Sequence, residues 1–126
     1  MLLDSHVVLW WVDGSPKLGA EAKRLIGAAP TVRVSAATVW ELTAKSMIGK
    51  LELAADFETQ LWETGFEPLA ITPAHAAGLV EFPELARRDP FDRLLLSQAH
   101  IEACRFVTAD SVLLELGLPF AIDART

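Results

Sequence analysis

The sequence predicts an α/β domain built on a mostly parallel central sheet flanked by helices. Short apolar runs of β character alternate with helical stretches that carry their own start and stop signals, and no repeat, low-complexity segment or linker interrupts them. Strands joined by helices run mostly parallel, because each helix serves as the crossover. At 126 residues the chain is long enough to bury a core, and one domain over residues 1–126 is expected.

Each element has a local reason. Leu2-Leu3 forms a first strand ending at Asp4, and residues 5–12 form the helix after it. Asp13-Gly14 makes a turn, and Ser15-Pro16 supplies a cap and a first-turn proline for a helix over 17–29. Residues 31–35 form a second strand, and Ser35 caps a helix over 36–48 that Gly49 ends. Asp56 caps a helix over 57–64, Gly65 closes it, and residues 67–71 form a third strand. Thr72-Pro73 opens another helix that leaves at Pro83. Asp89-Pro90 opens a helix over 91–103, and residues 105–109 form a fourth strand ending at Asp110. A short helix over 111–116, then Gly117 and a last strand over 119–122, complete the chain.

Composition narrows the function. Cys104 is the single cysteine, so an internal disulfide and the cysteine-rich zinc patterns are excluded, and a reducing, cytoplasmic setting is expected. The apolar start is interrupted by Asp4 and His6, has no basic flank and is too short to span a bilayer; no membrane association is expected. The formal charge of −6 argues against broad electrostatic DNA binding. Seven acids and no Lys or Arg lie between Lys50 and Arg87, so the charge is uneven and leaves room for a local RNA site. Apolar content of 52%, with four tryptophans, points to a protein interface beside the core, with Trp11 and Trp62 as its expected anchors.

Four acids converge on one edge of this arrangement. Asp4 and Asp110 each follow an apolar strand, Asp92 lies in the first turn of a helix, and Glu41 lies on the second turn of the helix after strand two. Open α/β sheets bind ligands in the crevice beyond the carboxyl ends of their strands. Four carboxylates there would repel one another unless a cation neutralised them. All-oxygen ligation selects Mg²⁺ or Mn²⁺ over zinc, and such an ion suits phosphodiester hydrolysis.

Plainer explanations exist for each acid alone. Asp4 and Asp110 suit helix N-caps, Asp92 suits the positive end of a helix dipole, and Glu41 can pair with Lys45 one turn on. Three caps do not explain why four acids share an edge. His6 reads as a packed or supporting side chain, and His75 and His100 carry no ligand spacing. Ser5, Ser35, Thr108 and Ser111 neighbour the acids and can orient them or cap helices. Arg87, Arg88, Arg93 and Lys45 can hold phosphates or remain solvated charges. No G-x-S-x-G, P-loop or G-x-G-x-x-G occurs.

The stretches LLDSHVVLWW, VSAATVWELTAKSMIGKLEL, RDPFDRLLLSQA and FVTAD, in that order from Leu2 to Asp110, resemble the PIN-domain family, and within it the VapC-like toxins of toxin–antitoxin pairs. The resemblance implies a PIN-like fold and a Mg²⁺- or Mn²⁺-dependent endoribonuclease acting on RNA, neutralised by a cognate VapB-like antitoxin and often a homodimer. It places the family's four acids on Asp4, Glu41, Asp92 and Asp110. Relatives often carry histidines where this chain has Ala86 and Arg87, and the tail beyond Asp110 follows the family loosely. Two rival readings are a phosphoacceptor signalling domain and a catalytically silent binding module on a nuclease-like fold. The first fits poorly, because residues 67–71 lead to Thr72 and residues 105–109 to Asp110, with no lysine at either exit.

Overall fold

A computed structural model describes residues 1–126 and contains five parallel strands in the order β3-β2-β1-β4-β5. In chain order the elements are β1 (Leu2–Leu3), α1 (Ser5–Val12), α2 (Ala20–Ala28), β2 (Arg33–Ser35) and α3 (Ala36–Met47). There follow α4 (Phe57–Glu63), β3 (Glu67–Leu69), α5 (Pro73–Ala77), and 3₁₀ turns at Gly78–Glu81 and Pro83–Leu85. The chain ends with α6 (Pro90–Ile101), β4 (Phe106–Thr108), α7 (Ser111–Leu114) and β5 (Ala121–Asp123). The α/β class and the parallel sheet match the sequence expectation.

Alternation along the short strands divides the core between the two faces of the sheet. Leu3, Val34 and Val107 pack with Val7, Val8, Ile26, Leu42 and Leu61 on one face. Leu2 and Phe106 pack with Leu85, Leu95, Leu96, Ala99 and Leu113 on the other. Both clusters are closed by buried side chains, so the sheet is covered on both faces as parallel sheets require. No helix is long and apolar enough to cross a membrane.

Several local expectations are corrected. The helix expected from residue 17 begins at Ala20, because Leu18 is buried and the Gly19 N–H donates to Ala124 O at 2.9 Å. Gly19 is required there: a Cβ would meet the Thr126 carbonyl carbon at 2.2 Å. Asp56 stands at the start of α4 without capping it, since its φ of −100° and ψ of 22° are not extended, and its carboxylate accepts from Gln60 Nε2 instead. The helix opened by Thr72 gives way at Gly78 to 3₁₀ turns. Trp11 and Trp62, the expected interface anchors, are half-buried against the core, Trp11 beside Phe66 with ring centroids 6.1 Å apart, so each presents only part of its ring at the surface. The exposed large apolar side chains are instead Trp40, Met47, Ile48, Ile71, Val80 and Ile101.

Candidate active site

β1 and β4 lie side by side in the middle of the sheet, with β2 continuing from β1 and β5 from β4. The strand order therefore reverses between them, and a crevice opens beyond their carboxyl ends. Asp4 follows β1 directly and Asp110 follows β4 by one residue. Glu41 projects from the second turn of α3, which begins where β2 ends, and Asp92 from the first turn of α6. The four acids expected from the sequence thus share one end of the sheet.

Two of them are helix caps and members of the cluster together. Asp4 is 3% exposed; its Oδ1 accepts from Ser5 N–H at 2.7 Å and its Oδ2 from Thr108 Oγ1 at 2.6 Å. Asp110 Oδ1 accepts from Val112 N–H at 2.8 Å and Leu113 N–H at 3.2 Å, while its Oδ2 has no partner in the fold. Thr108 Oγ1 also accepts from Asp110 N–H at 3.0 Å, so one buried hydroxyl ties the two acids together. At Asp110 capping with one oxygen leaves the other free, whereas both oxygens of Asp4 already accept one hydrogen bond and offer only their remaining lone pairs; in neither case does capping by itself exclude a part in the cluster.

Glu41 is buried and held from two sides. Ser5 Oγ donates to Oε1 at 2.6 Å, and Lys45 Nζ donates to Oε2 at 3.0 Å. Thr38 Oγ1, one turn before Glu41 on the same helix, lies 3.2 Å from Ser5 Oγ. The sequence reading did not single out Thr38, although its spacing three residues before Glu41 places both on one helix face. Ser35 serves only as a cap, accepting from Ala37 N–H at 3.0 Å.

The charges make themselves felt at Asp92. Burial, followed by the nearby carboxylates of Asp4, Asp89, Asp110 and Glu41, pushes its carboxyl up to about 7. Burial also raises Asp4, with Glu41 adding to the rise, against the lowering effect of the Thr108 and Ser5 hydrogen bonds and of His6. A cleft of about 230 Å³ beside Asp92 and Asp110 is lined by Arg88, Asp89, Val112 and Leu113 as well. Asp89 itself caps α6, its Oδ1 accepting from Phe91 N–H at 2.8 Å and Asp92 N–H at 3.3 Å. Arg93 is committed elsewhere, donating through Nη1 to Ala86 O at 2.9 Å, so Arg88 is the arginine that faces the cleft. No three acid, histidine or cysteine side chains close on a single point as a ready-made chelate.

A parallel α/β sheet with four carboxylates gathered at its switch point, Asp4 and Glu41 buried and Asp92 and Asp110 half-buried, defines an acid-lined crevice. Residues 1–117 match the PIN domain family, and the chain belongs to it. It is 32% identical over 112 residues to ribonuclease VapC22 of Mycobacterium tuberculosis, covering 87% of this chain and 86% of that one. Its fold is shared with a toxin–antitoxin complex from Klebsiella pneumoniae, with a TM-score of 0.68, 16% identity and coverage of 98% and 96% of the two chains. It is shared also with VapBC2 from Rickettsia felis bound to a DNA fragment from its promoter, with a TM-score of 0.65, 16% identity and coverage of 96% and 94%. Family membership sets the phosphoacceptor reading aside.

Proposed function

We propose that this chain is a toxin endoribonuclease of the VapC kind, hydrolysing RNA phosphodiesters in the cytoplasm and neutralised by a cognate VapB-like antitoxin. The observation that carries the proposal is the convergence of Asp4, Glu41, Asp92 and Asp110 at the switch point, where burial first and the neighbouring carboxylates second push Asp92 up to about 7. The kinship with a ribonuclease over most of both chains supports the choice of RNA, and the shared fold with toxin–antitoxin complexes supports the antitoxin partner. We propose a homodimer as the active form.

The donor set fits Mg²⁺ or Mn²⁺. It is all oxygen, it is over-negative as it stands, and it is too open to hold an ion by protein groups alone, which is how Mg²⁺ is usually held: by few carboxylates, waters and substrate phosphate. Asp4, Glu41, Asp92 and Asp110 are the residues that would hold it. When bound, the ion polarises the phosphoryl group and makes water a stronger nucleophile. The chain's own residues supply the rest. Thr108 and Ser5 fix the orientations of Asp4 and Glu41, and Lys45 holds the second oxygen of Glu41. Arg88, which lines the cleft, would receive a phosphate of the substrate.

Expression of the chain alone should arrest growth of a bacterial host and degrade RNA, the purified protein should cleave RNA, and co-expression of its antitoxin should restore growth. A folded wild-type protein that neither slows growth nor cleaves RNA would contradict the proposal.

A further inference from the structure

Trp40 is 64% exposed, an unusual position for the largest apolar side chain on a helix whose inner face carries buried Leu42 and Glu41. It is not loose. Phe91 of α6 lies beside it, with ring centroids 5.3 Å apart and planes inclined by 31°, a tilted aromatic pair that holds the indole while leaving much of it open to solvent. Each ring is the neighbour in sequence of a site carboxylate, about 100° round its helix from it: Trp40 precedes Glu41 and Phe91 precedes Asp92. The pair therefore spans the two helices that bring those acids to the crevice.

We propose that the Trp40–Phe91 pair is a stacking platform for an unpaired base of the RNA strand whose phosphodiester enters the acidic crevice. The inference rests on the ribonuclease reading and adds to it a substrate contact that favours an unpaired strand. An acidic crevice offers a polyanion little attraction apart from its cations, so binding has to come in part from uncharged pieces of the substrate. Bases are those pieces. A fixed aromatic face binds any base, because each has a π-face, and it does so with little ordering cost. Met47 at the end of α3 and Ile48 just past it are also exposed; Met47, seven residues on, shares the Trp40 face of the helix but lies about 10 Å further along its axis. Along the axis Trp40 stands at the level of Glu41, in the half of α3 nearer the end of β2 and the crevice.

The test is steady-state cleavage of a short unstructured RNA by wild type, Trp40→Leu and Trp40→Phe, with a matched set of substrates in which single bases near the cleaved bond are replaced by abasic nucleotides. Trp40→Leu should raise KM about five- to hundredfold, the range that base–aromatic stacking produces, with kcat changing much less. Trp40→Phe should stay near wild type. One abasic position should raise KM for the wild type but have little further effect on Trp40→Leu, a coupling that mere loss of folding would not create. Equal KM for wild type and Trp40→Leu, or no abasic position that weakens the wild type, would overturn the proposal. Unchanged KM with an altered sedimentation coefficient would overturn it too, assigning the pair to a protein interface. A wild type that cleaves none of these RNAs would overturn the ribonuclease reading itself, and the platform with it.

Discussion

The hydroxyl of Thr108 donates to Asp4 Oδ2 at 2.6 Å across 104 residues of sequence, joining the ends of two neighbouring parallel strands just beneath the crevice. Both partners are buried, with Thr108 1% exposed. Thr108→Val keeps the shape and removes the donor. It should cost about 1.5–3 kcal/mol, as expected when a charged group loses a buried hydrogen bond. The Thr108 bond also lowers the pKa of Asp4, so the variant's Asp4 should hold its proton to higher pH. Denaturant unfolding and a pH–rate profile check both: midpoint lowered, acid limb of cleavage displaced upward.

Asp92 makes stability fall with pH in the absence of metal. Its carboxyl is raised from 3.8 to about 7 in the fold, so between those values the folded state binds more protons than the unfolded one. Stability from this group is complete below about pH 4 and is lost as the pH rises through about 7. In chelator, the wild-type melting temperature should decline over that window, and Asp92→Asn should flatten the decline. Added Mg²⁺ should raise the melting temperature more at pH 8 than at pH 5.5.

Cap and site chemistry separate within one tetrapeptide. Asp89→Ala removes the oxygen that accepts from Phe91 and Asp92 N–H groups and should cost about 1 kcal/mol, with a mild effect on cleavage. Asp92→Asn should leave metal-free stability unchanged or raised above pH 7, since one repelling charge is gone, while cleavage falls roughly a hundredfold or more. Paired melting and rate measurements distinguish the two.

Gly78 offers a control remote from the acids. A Cβ there would meet Ser97 Oγ at 2.5 Å and Ile101 Cδ1 at 2.6 Å, and Ser97 Oγ is already bound to His75 O at 2.6 Å. Gly78→Ala should therefore destabilise by about 1–3 kcal/mol through overpacking between α6 and the turn beside it. At a temperature where the variant is folded, kcat should match the wild type.

The order of elements and the edge shared by four acids were legible because both follow from local signals: strand ends, caps and helix phase. Asp4, Asp89, Asp110, Ser35 and Thr72 all cap as their residue types suggest. The misplaced boundaries are those set by distant contacts. The start of α2 is decided by the chain around Ala124 and Thr126 packing on Gly19, which no local pattern announces. The packing of Trp11 and Trp62 against the core, and the exposure of Trp40, depend likewise on how α1, α3 and α4 sit on the sheet. Thr38 escaped notice because its part in the site runs through Ser5, a residue 33 positions away.

RNA cleavage by metal-stripped protein, followed by return of Mg²⁺ or Mn²⁺, tests the central claim most directly when run on wild type and on Asp4→Asn, Glu41→Gln, Asp92→Asn and Asp110→Asn. The account predicts no cleavage in chelator, full recovery of the wild type on adding either ion, and recovery at least about a hundredfold lower in the Asp4, Glu41 and Asp92 variants, with a clear loss in the Asp110 variant. Undiminished cleavage in thorough chelation, or four variants that cleave like the wild type, would contradict it.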